Sequence, residues 1–232
     1  MCRYMGITPN SGTGSGAITR DGSAVEFYRL MRPDGEPEVV AGVVPAGGSI
    51  LEFGSGVGRV THPLVELGYR LVAVDESAEM LAHVRGAETV RARVQEVRLD
   101  RRFDAVMLAS QLVQTADERD RRGLLDACAR HVAPDGSVLI QWIPPERHDA
   151  WQAGQSRTDG DLTIEMAAVE EVSPGLVNAT MRCVYGDRVW TQSFASRRLS
   201  DEELADALAL SGLRLERFLT EDRTWVLAVP AG

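Results

Sequence analysis

Lysine is missing from this sequence, because all 25 basic residues among its 232 residues are arginine. Enzymes that form a Schiff base or use an amine nucleophile need a lysine side chain, so both chemistries are excluded. Histidine is scarce as well, with only four residues in the chain. Candidates for a general base that titrates near neutral pH are therefore few.

Three further absences narrow the class of protein. The three cysteines (Cys2, Cys128 and Cys183) lie far apart without metal-ligand spacing, so we expect free thiols and no metal site. The net charge is −9, whereas binding to nucleic-acid phosphates needs basic surface. No apolar run reaches the roughly 18 residues of a membrane span, and the N-terminus lacks a signal pattern. We therefore expect a cytoplasmic protein without nucleic-acid or membrane partners.

Short apolar runs alternate with helical stretches up to about residue 145. An apolar fraction of 44% can supply a sizeable core. Strands that alternate with helices pair in parallel through right-handed crossovers, so this part predicts a doubly wound sheet. Its strands are predicted at residues 50–53, 71–74, 89–92, 103–109 and 138–142.

The pattern changes after residue 145. Partial alternation at residues 162–172, 176–185 and 189–195 predicts an antiparallel meander. A helix then begins after Ser200, which has Glu203 three residues later as in a capping box. A closing pair of strands is predicted after this helix, at residues 213–219 and 224–229.

The most informative segment is the apolar run that meets three glycines at alternate positions. Gly54 can make the tight turn, Gly56 lets the backbone approach a ligand, and Gly58 lets a helix lie close to the sheet. This G-x-G-x-G spacing has Glu52 two residues before the first glycine. Dinucleotide-binding proteins use G-x-G-x-x-G instead, which disfavours an NAD-dependent dehydrogenase.

Asp75 ends the strand that follows the glycine segment and its helix. A carboxylate at this place in a nucleotide-binding unit can accept hydrogen bonds from both ribose hydroxyls. The alternative is that Asp75 is the N-cap of a predicted helix at residues 78–84. The glycine segment ahead of it favours the ribose role.

Four features in order resemble the class I methyltransferases that depend on S-adenosyl-L-methionine (SAM). The Glu-x-Gly-x-Gly-x-Gly pattern from Glu52 resembles their motif I, and Asp75 matches their second acidic position. Residues 103–106 look like their strand-four signature, and residues 134–136 look like their Pro-Gly-Gly turn before an apolar strand. The resemblance covers the chain from about Glu36, and the late meander is similar to that of small-molecule N-methyltransferases.

The resemblance implies that SAM is the cofactor and that its methionine part faces the glycine segment. Gln95 or Glu96 would take the place of an acidic residue that often binds adenine, and Arg32 could hold the methionine carboxylate. The full set of cofactor-binding residues that it implies is Glu52, Gly54, Ser55, Gly56, Asp75, Glu76, Gln95, Glu96, Ser110, Tyr28 and Arg32.

Three residues are candidates for the acceptor chemistry: His148, Gln111 and Gln114. His148 follows the fifth predicted strand, where an acceptor could reach it, and the alternative is an exposed loop histidine. Similar family members often carry histidine and asparagine where this chain has Gln111 and Gln114. Glutamine cannot act as a general base, so this departure concerns how the acceptor would be activated.

These patterns predict an α/β fold: a Rossmann-like, doubly wound, mostly parallel seven-stranded sheet with an added antiparallel meander near the C-terminus. We divide the chain into a flexible arm (1–22), a SAM-binding core (23–145), a substrate-covering insert (146–199) and a C-terminal segment that completes the sheet (200–232). The predicted function is methylation of a small metabolite at nitrogen or oxygen, in secondary metabolism. The alternative is a methyltransferase fold used for cyclisation or elimination, or as a non-catalytic subunit. A small-molecule acceptor is the expected partner, and a homodimer is compatible with the sequence.

Overall fold

The computed structural model describes residues 6–232. The strands are β1 (Ser11–Thr13), β2 (Ser49–Phe53), β3 (Arg70–Asp75), β4 (Glu88–Arg91), β5 (Phe103–Leu108), β6 (Val132–Gln141), β7 (Ser156–Asp159), β8 (Leu162–Ser173), β9 (Leu176–Tyr185), β10 (Arg188–Arg197), β11 (Leu213–Phe218) and β12 (Trp225–Pro230). The helices are α1 (Val25–Leu30), α2 (Glu36–Ala41), α3 (Thr61–Glu66), α4 (Ala78–Leu81), α5 (Glu118–His131), α6 (Pro145–Asp149) and α7 (Asp201–Leu210). No helix in this part of the chain is long and apolar enough to cross a membrane.

The chain divides into two compact units, each with its own sheet. One unit consists of Arg32–Pro144 and Leu199–Gly232 and is called here the α/β unit. The other consists of the described residues up to Met31 together with Pro145–Arg198 and is called the antiparallel unit.

The α/β unit contains a seven-stranded sheet in the order β11-β12-β6-β5-β2-β3-β4. The strands from β6 to β4 in this order pair in parallel, whereas β12 and β11 add to β6 antiparallel. The central strands β2 and β5 are mostly apolar and mostly buried, as expected for parallel strands with both faces covered. The predicted seven-stranded, mostly parallel sheet is confirmed.

Successive residues of β2 enter two different cores, one on each face of the sheet. Leu51 packs in the cluster that holds Leu125 of α5. Ile50 packs in the cluster that holds Val40 of α2 and Leu64 of α3. Side chains alternate between the faces of a strand, so this arrangement covers the sheet with helices on both sides. The doubly wound prediction is confirmed.

The antiparallel unit is a five-stranded sheet in the order β1-β10-β9-β8-β7. The predicted meander corresponds to β8, β9 and β10. The sequence predicts a flexible arm over residues 1–22, but residues 11–13 form β1 and pair with β10. The predicted arm also includes residues 1–5, which lie outside the described residues. The predicted free thiol of Cys2 lies outside them too.

Residues 23–31 belong to the antiparallel unit, although the sequence pattern places them in the core domain. Phe27 of α1 is buried and its ring lies 6.2 Å from that of Trp190 on β10. These two side chains share a small apolar cluster with Leu162 and Cys183 of the same sheet. The burial of α1 against this sheet, which no local pattern reveals, explains the difference.

The register between β6 and β5 is irregular at residues 134–136, where the sequence predicts a tight turn. Val132 pairs with Phe103 and the next pair is Ser137 with Ala105, so four residues of β6 stand against one residue of β5. Gly136 lies so close to β5 that a Cβ would be 2.9 Å from the carbonyl oxygen of Asp104. Residues 133–136 therefore loop out of the pairing between β6 and β5, which is compatible with the predicted turn.

Candidate functional site

The glycine turn follows β2 at the carboxyl end of the parallel strands. The amides of Gly54 and Ser55 both donate to the carbonyl of Val74 on β3, at 2.9 and 3.0 Å. Gly54, Gly56 and Gly58 all have positive φ, at 69°, 56° and 85°. Such values are costly for residues with a Cβ, so the backbone of this turn requires glycine.

The three glycines have different surroundings. A Cβ at Gly54 would lie 2.6 Å from a methyl carbon of Leu112, and one at Gly58 would lie 2.8 Å from the ring of His62. At Gly56 the nearest heavy atom would be the sulfur of Met80, at 3.9 Å. Gly54 and Gly58 therefore permit packing inside the protein, whereas Gly56 borders open space that a ligand can fill.

Asp75 is fixed by the backbone around it. One carboxylate oxygen accepts a hydrogen bond from the amide of Gly56, and the other accepts one from the amide of Ser77, each at 2.9 Å. The N-cap of α4 is Ser77, whose hydroxyl accepts from the amide of Met80 at 3.1 Å. The alternative that Asp75 caps this helix is therefore wrong. Its carboxylate is oriented at the tip of β3, and a carboxylate can accept more hydrogen bonds than these two.

Glu52 is a buried acid directly before the glycine turn. Its side chain accepts a hydrogen bond from the hydroxyl of Thr61 at 2.5 Å. Burial raises the pKa of Glu52 to about 7, although the hydrogen bond from Thr61 and the charge of Arg59 oppose this shift. A cation brought next to this carboxyl would favour its ionised form.

Arg59 joins the glycine turn to the segment before α2. Its guanidinium lies 2.6 Å from the carboxylate of Glu36, in an ion pair with little exposure. The same nitrogen donates to the carbonyl of Arg32 at 3.2 Å. The backbone of Arg32 is therefore held beside the turn, as its predicted role requires. Its predicted contact with a carboxylate stays a prediction.

The residues at this turn fit the methionine end of SAM. Ser55 is buried, and its hydroxyl has no hydrogen-bond partner among the described residues. Such an unsatisfied group is costly in a folded protein and points to a partner outside the chain. The cofactor, when bound, supplies a methyl group on a positively charged sulfur. Ser55, Glu52 and the open side of Gly56 would provide the contacts for its amino-acid part, and these roles stay predictions.

The predicted adenine contacts lie around the ends of β3 and β4. Glu76 follows Asp75 directly and is exposed. Gln95 and Glu96 belong to a short 3-10 turn, where Glu96 is exposed and Gln95 packs its chain against Gly123 of α5. Their side chains carry the hydrogen-bonding groups that an adenine edge needs, and their role stays a prediction.

The segment after β5 contains Ser110, Gln111 and Gln114. Ser110 is exposed and Gln111 is partly exposed, whereas Gln114 is buried. The side-chain amide of Gln114 donates to the carbonyl of Ile143 at 3.1 Å and accepts from its amide at 2.6 Å. Gln114 therefore acts as a backbone clamp in this structure. Ser110 and Gln111 remain the side chains available to a ligand.

His148 and Tyr28 lie in the antiparallel unit. The Nε2 atom of His148 is 3.1 Å from the hydroxyl of Ser196, and its ring stacks on Trp151 at 4.6 Å. His148 is only 3% exposed, so the alternative of an exposed loop histidine is wrong. Burial lowers its pKa, which favours the neutral ring that a base requires. Tyr28 donates its hydroxyl to Gln192 at 3.3 Å.

Three contacts of this region were not predicted from the sequence: Thr61 with Glu52, Arg59 with Glu36, and Gln141 with Ser110. Arg59 directly follows the last glycine of the turn, so its position was a usable signal. Gln141 is the last residue of β6. A polar side chain at the carboxyl end of a parallel strand is a second usable signal.

The glycine turn at the carboxyl ends of the parallel strands is a candidate site for a nucleotide-type ligand, and comparison with known proteins shows what the chain is similar to. Residues 50–136 match the methyltransferase domain family. An uncharacterised methyltransferase of Mycobacterium tuberculosis is 34% identical over 136 residues, which cover 56% of this chain and 54% of the relative. A cypemycin N-terminal methyltransferase of a Streptomyces species is 29% identical over 140 residues, covering 54% and 56%.

Solved structures extend the likeness over nearly the whole fold. The sugar N-methyltransferase KedS8 from a Streptoalloteichus species has a TM-score of 0.69 at 20% identity and covers 95% of this chain and 98% of its own. The chain spans about half the length of the curated relatives it matches. Residues 50–136 of this chain therefore resemble a methyltransferase domain, and the solved structure shares its fold.

Proposed function

We propose that this protein transfers the methyl group of SAM to an amine of a small natural product. The observation that carries the proposal is the arrangement of polar groups at the glycine turn of the α/β unit. There, the Asp75 carboxylate is held by the amide of Gly56 beside the unsatisfied hydroxyl of Ser55. The carboxylate would accept the ribose hydroxyls, and Glu52 would lie at the amino group of the methionine part.

An amine acceptor suits the residues of the segment after β5 better than a hydroxyl acceptor does. A hydroxyl needs a general base before it can attack carbon, whereas a neutral amine already has a free electron pair. Residues 110–114 carry no ionisable side chain. The amine nitrogen forms its bond to the methyl carbon while the carbon–sulfur bond breaks and its electron pair goes to sulfur. The proton of the resulting ammonium then leaves to water.

The names of two similar proteins support the amine. The cypemycin enzyme methylates an N-terminus by its name, and KedS8 is named a sugar N-methyltransferase. Both names specify a nitrogen acceptor, which favours an amine acceptor here. The main remaining task of the protein is to align the acceptor with the methyl group. Such alignment can lower the activation free energy by about 7–11 kcal/mol.

Calorimetric titration of the full chain with SAM and with its demethylated product tests the proposal. We expect micromolar binding of both, and a loss of about tenfold or more for Asp75→Ala, since a charged hydrogen bond contributes roughly 1.5–3 kcal/mol. Asp187→Ala, at an exposed turn after β9, is the matched control and should bind as the wild type does. Absence of SAM binding by the wild type would refute the cofactor assignment.

A second candidate function keeps the cofactor and drops the methyl transfer. It is favoured by the glutamines at positions 111 and 114 and by the burial of His148. Incubation with SAM and a panel of amino sugars, peptide N-termini and phenols separates the two candidates. Methylated product with the amines supports the proposal, whereas SAM binding without any methylated product supports a cyclisation, elimination or non-catalytic role.

A further inference from the structure

The backbone directly after β5 is held in an unfavourable conformation. Ser110 and Gln111 both have φ of 55°, in the left-handed region, and Arg223 is the other non-glycine residue of the described chain with positive φ. A left-handed residue with a Cβ costs roughly 1–2 kcal/mol, and such residues persist only where the surroundings hold them. Two in succession therefore need specific support.

Side-chain amides from the β6 side provide that support. The side-chain carbonyl of Gln141, the last residue of β6, accepts a hydrogen bond from the backbone amide of Ser110 at 2.8 Å. Further along the segment, Gln114 exchanges two hydrogen bonds with the backbone of Ile143. The segment is therefore fastened at both ends to the chain that leaves β6.

A buried arginine fastens the same segment from the helix side. Arg121 of α5 donates from Nε to the carbonyl of Val113 at 2.9 Å and from an Nη atom to the carbonyl of Thr115 at 2.8 Å. Arg121 is only 8% exposed, so these bonds form in a shielded environment where they are strong. Residues 110–115 are thus held by hydrogen bonds that involve three polar side chains.

This fastened segment packs against the cofactor turn. Strands β2 and β5 are parallel neighbours, with Phe53 opposite Leu108, so the segments that follow them emerge side by side. Leu112 lies so close to Gly54 that a Cβ there would come within 2.6 Å of its methyl carbon. A shift of the segment would therefore displace the Leu112 side chain, which packs against the glycine turn.

We propose that Gln141 is a positioning residue of the cofactor site. By accepting the amide of Ser110 it holds the left-handed pair Ser110–Gln111, and this conformation places Leu112 against Gly54. The unfavourable backbone conformation of Ser110 and Gln111 thereby keeps Leu112 in the position that the site requires before SAM binds. The proposal rests on the proposed function, because it assumes that SAM binds at the glycine turn.

Two variants of Gln141 test this role. Gln141→Met keeps the length and approximate volume of the side chain but removes the acceptor, whereas Gln141→Glu keeps an acceptor for the Ser110 amide. We expect the dissociation constant for SAM, measured by calorimetry, to rise about tenfold in Gln141→Met, because the segment that places Leu112 against Gly54 loses the hydrogen bond to the Ser110 amide. Gln141→Glu should remain within about threefold of the wild type. Exposed Gln152→Met is the matched control and should bind as the wild type does.

Hydrogen exchange of the peptide spanning residues 108–116 gives a second readout. Exchange should accelerate in Gln141→Met and stay near the wild-type rate in Gln141→Glu. A lower urea midpoint with unchanged SAM affinity in Gln141→Met would mean a merely structural role and would overturn the proposal. Equal loss of affinity in both variants would overturn it too. A wild type that binds no SAM would instead refute the proposed function on which it rests.

Discussion

The backbone amide of Gly56 donates a hydrogen bond to the carboxylate of Asp75 across 2.9 Å, although the two residues are 19 positions apart in the chain. This bond joins the glycine turn after β2 to the tip of β3. It holds the backbone of the turn and the orientation of the carboxylate at the same time. The two features that resemble nucleotide-binding motifs are thus parts of one hydrogen-bonded unit.

Substitution of Gly56 tests that unit. Gly56→Ala meets no close atom, but its φ of 56° is unfavourable for alanine by about 1 kcal/mol. We expect the turn to relax, the Gly56 amide to move away from Asp75, and SAM affinity to fall about tenfold or more, by calorimetry.

Gly160→Ala is the control for this substitution. Gly160 has φ of 57°, and a Cβ added there would meet no atom within 4 Å, but this glycine lies in the turn between β7 and β8. The unfolding free energy of this variant should fall by a similar amount without any change in SAM affinity. Equal SAM affinity in the two alanine variants would contradict the role of Gly56.

Stability should depend on pH through Glu52. Its pKa is about 7 in the folded protein and 4.5 as a free side chain, so the folded state holds its proton over a range where the unfolded chain has lost it. The unfolding free energy therefore decreases as pH rises through this range. Glu52→Gln cannot titrate at this position, so its unfolding free energy does not undergo this decrease. The difference in unfolding free energy between Glu52→Gln and the wild type should therefore shift in favour of the variant by on the order of 3 kcal/mol between about pH 5 and pH 8.

Urea unfolding without SAM measures this difference. Exposed Glu66→Gln, at the end of α3, is the control and should follow the wild-type pH profile. A difference between Glu52→Gln and wild type that does not vary with pH would show that the Glu52 carboxyl does not titrate in this range.

The ion pair between Arg59 and Glu36 should contribute strongly to the α/β unit. Both side chains have little exposure, so Arg59→Met leaves the Glu36 carboxylate buried without this cation. We expect a loss of about 3 kcal/mol in unfolding free energy. The double variant Arg59→Met with Glu36→Gln should recover much of this loss. Additive losses in the double-mutant cycle would contradict the pairing.

The capping box of α7 should affect stability alone. The Ser200 hydroxyl accepts from the Glu203 amide at 3.1 Å, and the Glu203 carboxylate accepts from the Ser200 amide at 2.6 Å. Ser200→Ala should lower the unfolding free energy by about 1 kcal/mol and leave SAM affinity unchanged. Ser211→Ala is the control at the other end of the helix, because the Ser211 hydroxyl is buried without a partner among the described residues. It should be neutral or slightly stabilising.

Local patterns predicted most of the fold. The capping box at Ser200, the apolar run of β5 and the glycine turn all depend on residues close together in sequence, and each is present in the structure. The structure differs from the sequence prediction where distant chain segments decide the outcome. Residues 11–13 became a strand because β10 offered a free edge, and α1 joined the antiparallel unit because Phe27 packs near Trp190.

The candidate site divides in the same way. The glycine spacing and Asp75 follow from sequence, because one strand, one helix and the next strand fix their places in a parallel sheet. The sequence by itself therefore determined the cofactor class and the sheet. Only the tertiary structure decided that Gln114 clamps Ile143, that His148 is buried against Ser196, and that Gln141 holds Ser110. Their partners lie tens of residues away, and only folding brings such hydrogen-bonding groups together.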